Sequence, residues 1–120
     1  MNKVYFLLGS NIGNSEEQLR LAATNIKKQV GHIIASSSIY QTAAWGKTDQ
    51  PDFLNQVIIV ETTLWAEETL SSILTIEEKM GRVRTEKNAP RIIDIDILFF
   101  NDAIIQEKEL IVPHPEIQNR

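Results

Sequence analysis

Two aspartates lie beside a group of basic residues in one short stretch of the chain, residues 82–96. Asp94 and Asp96 interrupt an otherwise apolar run over 92–100. In a β-strand, side chains two residues apart project from the same face, with their Cα atoms roughly 6.7 Å apart. Carboxylate oxygens are ligands that Mg²⁺ prefers, so the pair is a candidate magnesium site.

The basic residues beside this pair are concentrated, because five of the twelve Lys and Arg residues fall between positions 79 and 91. A guanidinium group can hold phosphate oxygens through two parallel hydrogen bonds, which an ammonium group cannot do. A magnesium-bound polyphosphate therefore suits this stretch. The alternative is a structural ion-pair network in which the arginines only neutralise the aspartates. The basic residues are Lys79, Arg82, Arg84, Lys87 and Arg91.

Four apolar or β-branched runs and two amphipathic runs must position this stretch. Strands are predicted over 3–8, 33–40, 53–63 and 92–100, with a short extra strand over 110–112. The first helix is predicted to begin at a capping box of Ser15 and Gln18 and to end at Gly31, and the second to run from near Ala66 to Gly81. The order is that of an α+β, ferredoxin-like βαββαβ sandwich, an antiparallel sheet with both helices on one face.

The last of these strands predicts which sheet face carries the carboxylates. Strict alternation places one set of residues under the helices and the other on the opposite face. Ionised carboxylates would be costly under the helices, so we expect Asp94 and Asp96 on the uncovered face. The set predicted to face the helices is Ile93, Ile95, Ile97 and Phe99, and the opposite set is Asp94, Asp96, Leu98 and Phe100.

Composition narrows the functional class. The chain has 120 residues, 42% of them hydrophobic and 23% charged, which predicts a single globular domain over 1–120. A net charge of −4 argues against nucleic acid as a partner, and disfavours an RNA-binding module of this fold. The sequence has no cysteine and no signal-peptide or membrane-spanning pattern, so we expect a cytoplasmic protein with no membrane partner. We expect a monomer, although the sequence contains no pattern that determines the oligomeric state.

A second candidate site lies in the predicted irregular loop over 41–52 and at the start of the strand after it. Loops of this length in a compact domain are often functional. Trp45 and Phe53 could be core residues or could flank a flat ring ligand, and Asn55 offers a donor and an acceptor to a heterocycle edge. The segment from Gly9 to Gly13 lacks the lysine of a phosphate-binding loop, which favours a tight strand–helix turn.

Motifs along the whole chain resemble the 6-hydroxymethyl-7,8-dihydropterin pyrophosphokinase family of folate biosynthesis. Those motifs are Leu8-Gly-Ser-Asn-x-Gly-Asn14, Tyr40-x-Thr42, Trp45-Gly46, Asp49-Gln-Pro51, Phe53-Leu-Asn55, Glu77, Gly81-Arg-x-Arg84, Pro90-Arg91, Asp94-Ile-Asp96 and Pro113-His114. The resemblance implies a ferredoxin-like core and transfer of pyrophosphate from ATP to the pterin hydroxymethyl group, releasing AMP. It also implies a C-terminally short member, because the family usually continues into a tail that carries a second aromatic residue opposite Phe53.

The resemblance assigns roles to the residues already singled out. It implies two Mg²⁺ ions on Asp94 and Asp96, with ATP as co-substrate and no protein nucleophile. The implied catalytic residues are Arg82, Arg91, Asp94 and Asp96. The implied ATP-binding residues are Glu77, Arg82, Arg84, Arg91, Ile97, His114 and Arg120. The implied pterin-binding residues are Thr42, Ala43, Ala44, Trp45, Phe53, Asn55 and Asp94. The alternative is a truncated, weakly active or noncatalytic nucleotide- or pterin-binding domain of the same fold.

Overall fold

The structure, a computed structural model, describes residues 1–44, 50–82, 90–103, 105–106 and 111–112. Its elements in chain order are β1 (Asn2–Ser10), α1 (Ser15–Gln29), β2 (His32–Ser36), β3 (Tyr40–Thr42), β4 (Phe53–Thr62), α2 (Ala66–Lys79), β5 (Asp94–Phe100), β6 (Ile105–Gln106) and β7 (Ile111–Val112). Strands β2, β4, β1 and β5 lie side by side in that order, and β3 also pairs with β4. All of these pairings are antiparallel, which confirms the predicted ferredoxin-like α+β fold.

The core lies between both helices and one face of the sheet. Leu19 and Ile26 of α1 and Ile73 and Ile76 of α2 are almost completely buried against the sheet. The sheet residues in the same cluster include Val4, Phe6, Leu8, Ile58, Val60, Ile95 and Ile97. Their alternation along each strand leaves the intervening residues on the face that α1 and α2 do not cover, named here the open face.

A β-bulge in β5 changes the predicted alternation of that strand. The register with β1 shifts between Tyr5 and Phe6, so Leu98 is an extra residue in β5. Phe100 consequently belongs to the core cluster, whereas Phe99 packs edge-on against Tyr5 with ring centroids 5.6 Å apart. The prediction was right for residues 93–97 and wrong for Phe99 and Phe100, because a bulge inverts every position beyond it.

The predicted second strand is two strands with a break at the serines. β2 ends at Ser36 and β3 begins at Tyr40, and both pair with β4. Between them, Ser37 replaces part of the backbone ladder: its N–H donates to Val57 O (2.8 Å) and its hydroxyl accepts from Val57 N (2.9 Å). A serine side chain can satisfy a strand N–H in this way, which strand propensity alone does not reveal.

The helix boundaries are close to those predicted, but the residues that set them differ. The N-cap of α1 is Asn14, whose side chain accepts from Glu17 N (3.2 Å), so the predicted capping box at Ser15 was wrong. At the other end, a Cβ on Gly31 would overlap the carbonyl oxygen of Glu61. Close approach to β4, and not a left-handed backbone, is therefore the reason for glycine there. Gly81 after α2 does have the positive φ, 93°, of a helix-ending glycine.

The buried side of α2 carries Thr69, Ile73, Ile76 and Glu77, whereas Leu74 is 39% exposed. Among the described residues, no helix is long and apolar enough to cross a membrane.

We expect Asn14→Ala to lower the free energy of unfolding by about 0.5–2 kcal/mol, because it removes the side-chain cap of α1. Urea denaturation monitored by circular dichroism measures this loss. Thr24→Ala is the matched control: Thr24 is exposed in the middle of α1, where alanine is a better helix former. An Asn14→Ala protein as stable as Thr24→Ala would contradict the cap.

Candidate active site on the open face of the sheet

A buried glutamate anchors the charged part of the site. Glu77, near the end of α2, is 3% exposed. Its Oε2 accepts from the backbone N of Ile95 (2.7 Å) and from Nη1 of Arg82 (2.6 Å). The backbone N of Arg82 also donates to Glu77 O (3.0 Å). Glu77 therefore joins the end of α2 to β5 and fixes the position of Arg82.

Arg82 connects this glutamate to the first of the paired aspartates. Its Nη1 donates to Asp94 Oδ1 (2.9 Å), and the Arg82 side chain is only 12% exposed. Burial alone would lower the pKa of Arg82, but the charges of Asp94 and Glu77 and the hydrogen bonds to both carboxylates raise that pKa above its ordinary value. Arg91 Nη1 lies 3.7 Å from the other Asp94 oxygen, Oδ2. Asp94 thus has a guanidinium group on each oxygen.

The paired carboxylates occupy the predicted face. Asp94 pairs with Gly9 and Asp96 with Leu7 across β1, while Ile95 between them points into the core. Both aspartates are half-buried. The prediction that they share the open face is confirmed, and the ion pairs from Arg82 and Arg91 show that the structural-network interpretation holds at least for Asp94.

The donor set can hold Mg²⁺ only in part. Within the described residues, no group of three or more His, Cys, Asp or Glu side chains converges on a possible metal position. Mg²⁺ is usually held by one or two carboxylates, with phosphate oxygens and water completing its six ligands. Asp94 and Asp96 fit that pattern, so they suit a metal that arrives with a polyphosphate better than a permanently bound ion.

Beside the charged cluster, Asn55 and Phe53 border a gap on the same face. Gly9 lies between Asn55 of β4 and Asp94 of β5 in one row of the sheet. A Cβ on Gly9 would lie 3.3 Å from Asn55 Oδ1 and 3.5 Å from Phe53 Cδ1. Because Gly9 has no side chain, the surface between Asn55 and Asp94 is open. The Cα atoms of these two residues are roughly 10 Å apart, which is two strand spacings.

The amide of Asn55 is oriented by β3. Its Nδ2 donates to Thr42 Oγ1 (2.8 Å), and Asn55 is only 7% exposed. Its Oδ1 is on the Gly9 side and accepts no hydrogen bond from any residue that the structure describes. An N–H group at the edge of a flat ring over Gly9 could donate to that oxygen.

The remaining predicted site residues fall into three groups. Ala43 and Ala44 directly follow Thr42 at the end of β3. Ala43 is exposed and Ala44 is half-buried. The side chain of Ile97 lies in the core and is 4% exposed, so it cannot contact ATP. The predicted contact could be made only by the backbone of Ile97. Predictions that lie outside the described residues concern Trp45, Arg84, His114 and Arg120.

Sequence reasoning gave no role to Gly9 or Asn11. Gly9 was predicted to end the first strand, yet β1 continues through Ser10. Asn11 was assigned to a tight turn, yet it is 3% exposed and bonded to residues far along the chain. The burial of the Asn11 side chain directly after β1 would have indicated its role, but the sequence alone does not reveal burial.

Glu77→Ala should lower the free energy of unfolding by about 3–5 kcal/mol, because Arg82 and the Ile95 N–H lose their buried partner. Glu77→Gln should cost less, about 1–3 kcal/mol, since its amide oxygen can still accept from Ile95 N. Urea denaturation tests the order of the two values. Glu78→Ala, at an exposed position on the same helix, is the control. Equal stability of Glu77→Ala and Glu78→Ala would show that Glu77 does not anchor the site.

Comparison with known proteins places the chain in a family. The family model 7,8-dihydro-6-hydroxymethylpterin-pyrophosphokinase matches residues 5–120. A 2-amino-4-hydroxy-6-hydroxymethyldihydropteridine pyrophosphokinase of Methylorubrum extorquens is 37% identical over the whole chain, which spans 77% of that protein. Its counterpart in Bacillus subtilis is 40% identical over 99% of the chain and 72% of that protein.

Solved structures agree on the fold. A crystal structure of Plasmodium falciparum HPPK-DHPS superposes with a TM-score of 0.80 at 20% identity, covering 99% of this chain and 38% of that one. Another crystal structure of that protein gives a TM-score of 0.78 over the whole chain at 21% identity. The chain therefore belongs to the 7,8-dihydro-6-hydroxymethylpterin-pyrophosphokinase family.

Proposed function

We propose that this protein transfers pyrophosphate from ATP to 6-hydroxymethyl-7,8-dihydropterin, a step of folate biosynthesis. The observation that carries the proposal is the adjacency, on one open sheet face, of the Arg82–Asp94–Arg91 cluster and the surface over Gly9. The relatives that are 37–40% identical to this chain are named for this reaction.

The reaction needs no protein nucleophile. The pterin hydroxyl oxygen forms a bond to the β-phosphorus of ATP, and the bond from that phosphorus to the oxygen bridging the α-phosphorus breaks. The products are the pterin diphosphate, AMP and the proton of the hydroxyl group. Phosphoryl-type transfer depends mainly on positioning and charge stabilisation, so arginines and carboxylates are the expected groups.

On the phosphate side, Arg82 and Arg91 are the proposed contacts. A guanidinium group has five N–H donors, so Arg82 can bind a phosphate oxygen without losing its hydrogen bond to Glu77. Asp94 and Asp96 are the proposed ligands of two Mg²⁺ ions, which when bound neutralise and orient the phosphate oxygens. Arg82 Nη1 lies 2.9 Å from Asp94 Oδ1 and supplies a counter-charge to that carboxylate.

On the pterin side, the ring is proposed to lie over Gly9 against Phe53. Asn55 Oδ1 would accept from the ring edge, while Thr42 holds the amide in that orientation. We propose that the hydroxymethyl group of the ring points toward Asp94, which pairs with Gly9 on the neighbouring strand. Further contacts of the proposal come from Ala43, Ala44 and Trp45 to the pterin and from Arg84, His114, Arg120 and the backbone of Ile97 to ATP.

We also propose a cytoplasmic, single-domain monomer that binds small molecules and not nucleic acid. The net charge of −4 disfavours nucleic acid as a partner, because proteins that bind its phosphate backbone neutralise it with an excess of Lys and Arg residues. The rival function is a noncatalytic domain of the same fold that binds the nucleotide or the pterin. The relatives that this chain matches are named pyrophosphokinases, and none of the contacts among the described residues favours the noncatalytic rival.

Incubation with ATP, Mg²⁺ and the pterin alcohol should release AMP, because attack at the β-phosphorus breaks the bond to the α-phosphate. Chromatography of the nucleotides measures AMP and ADP separately. AMP should be absent without the pterin and after chelation of Mg²⁺. Well-folded protein that binds ligand but forms no pterin-dependent AMP would support the noncatalytic rival, and ADP in place of AMP would contradict pyrophosphate transfer.

Asp96→Asn keeps the shape of the side chain and removes its charge, so it tests the metal role within the same assay. We expect turnover to fall at least about 100-fold, since a metal ligand accounts for several kcal/mol of charge stabilisation. Asp102→Asn, in the exposed turn after β5, is the matched control and should retain full activity. Full activity of Asp96→Asn would remove Asp96 from the metal site.

Gly9→Ala should weaken pterin binding by about 10-fold or more, because its Cβ occupies the surface between Asn55 and Asp94. Binding of α,β-methylene-ATP should change by less than about twofold, which makes the nucleotide the internal control. Calorimetric titration of each ligand measures both. Unchanged pterin affinity would show that the ring does not lie over Gly9.

A further inference from the structure

Asn11 joins two stretches of chain that belong to different halves of the proposed site. Its backbone N donates to Arg91 O (3.0 Å), and its Oδ1 accepts from Arg91 N (2.8 Å). Its Nδ2 donates to Gln50 Oε1 (3.0 Å) and to Pro51 O (3.1 Å). We name this group of contacts, Asn11 with Gln50, Pro51 and Arg91, the Asn11 clamp.

The chemistry of the clamp requires asparagine. Asn11 is 3% exposed, so each polar atom of its side chain must find a protein partner. The amide supplies one acceptor oxygen to Arg91 and both N–H donors to residues 50–51. Aspartate has the same shape but no donor, and would place a carboxylate against the carbonyl oxygen of Pro51.

The two clamped stretches lead directly to the two subsites. Pro51 is two residues before Phe53, which borders the surface proposed for the pterin. Arg91 is itself beside Asp94, on the side proposed for the ATP phosphates. Asn11 therefore fixes the backbone at Arg91, on the phosphate side, relative to the aromatic side of the pterin subsite. A rigid joint of this kind can transmit the ordering of one subsite to the other.

We propose that Asn11 is a positioning residue that couples the two substrate subsites: through the clamp, a bound nucleotide favours the arrangement of residues 50–53 that binds the heterocycle. This inference rests on the proposed function. Asn11 itself contacts neither substrate, and its contribution is a coupling free energy, which must be the same whichever ligand binds first.

Calorimetric titration of 6-hydroxymethyl-7,8-dihydropterin with and without Mg²⁺ and α,β-methylene-ATP measures the coupling. In the wild type, the nucleotide should tighten pterin binding by a factor between about 5 and 150. Asn11→Ala should reduce that factor to near one and leave the Kd of each ligand alone within about threefold. Titrating the nucleotide with and without pterin must give the same factor.

Comparing Asn11→Ala with two further variants, Asn14→Ala and Asn11→Asp, separates the loss of coupling from a loss of stability. Asn14→Ala, three residues away, removes the α1 cap and touches neither clamped stretch, so it should keep the wild-type coupling factor. Asn11→Asp keeps the acceptor for Arg91 N but loses both donors to residues 50–51, so it should lose coupling as Asn11→Ala does. Coupling that survives in Asn11→Asp would show that the contacts with Gln50 and Pro51 do not carry it.

Amide hydrogen exchange of the ligand-free protein gives a readout independent of ligands. The Arg91 N–H should exchange slowly in the wild type, Asn14→Ala and Asn11→Asp, and at least about tenfold faster in Asn11→Ala. Equal protection in Asn11→Ala would show that the bond to Asn11 does not hold Arg91.

The outcomes distinguish this inference from the proposed function. A wild-type protein that binds both ligands without coupling, or an Asn11→Ala protein that keeps the wild-type factor, would overturn the role of Asn11 and leave the function standing. A wild type that binds neither ligand would overturn the proposed function and this inference with it.

Discussion

The buried carboxylate of Glu77 holds together the parts of the molecule on which the candidate site depends. It accepts from the backbone of β5 at Ile95 and from the guanidinium group of Arg82, which in turn reaches Asp94. Taking such a charge out of water is expensive unless its lone pairs are satisfied and a counter-charge is close. Ile95 N and Arg82 both donate to Glu77 Oε2, and Arg82 supplies the counter-charge, so the position of Arg82 is set by the end of α2 and by β5 together. The ion pairs are better regarded as positioning the arginine than as a large source of stability.

Asp94 takes part in a structural ion-pair network and is also a proposed metal ligand. Its oxygens face Arg82 at 2.9 Å and Arg91 at 3.7 Å, and these positive charges offset the repulsion from the carboxylate of Asp96 two residues on. The structural network and the proposed metal site use the same groups, so the two interpretations do not exclude each other. When a polyphosphate brings its own negative charge, arginines and Mg²⁺ can redistribute over carboxylate and phosphate oxygens with little change in net local charge.

In the part of the chain that the structure describes, the shape of the open face results from the absence of a covering helix and of a side chain at Gly9. The helices cover only one side of the sheet, and Gly9 removes the one side chain that would stand between Asn55 and Asp94. Asn55 is held by Thr42 of β3, and residues 50–51 by Asn11 after β1. Binding groups that are held by neighbouring strands lose little conformational freedom when a ligand arrives, which favours affinity.

Much of this could be predicted from the sequence, because the relevant signals are local. The order of elements follows from periodicity and from helix-ending glycine at Gly81, and the face of Asp94 and Asp96 follows from alternation over five residues. The types of the residues at 82–96 were enough to indicate phosphate chemistry. Motif resemblance supplied the family, which the comparisons confirmed.

Tertiary structure decided what depends on contacts between distant residues. The bulge at Leu98 inverts Phe99 and Phe100 because β1 and β5 must keep their register around it. Ser37 and Asn14 act through hydrogen bonds that compete with the expected strand and cap. The roles of Gly9 and Asn11 depend on residues that are distant in the sequence. Gly9 lies between β4 and β5, and Asn11 bonds to residues 50–51 and 91. The sequence therefore determined the order of elements and which residue types are available to the candidate site. The packing of strands far apart in the chain determined which groups share a site, because a hydrogen bond requires two partners to meet in space.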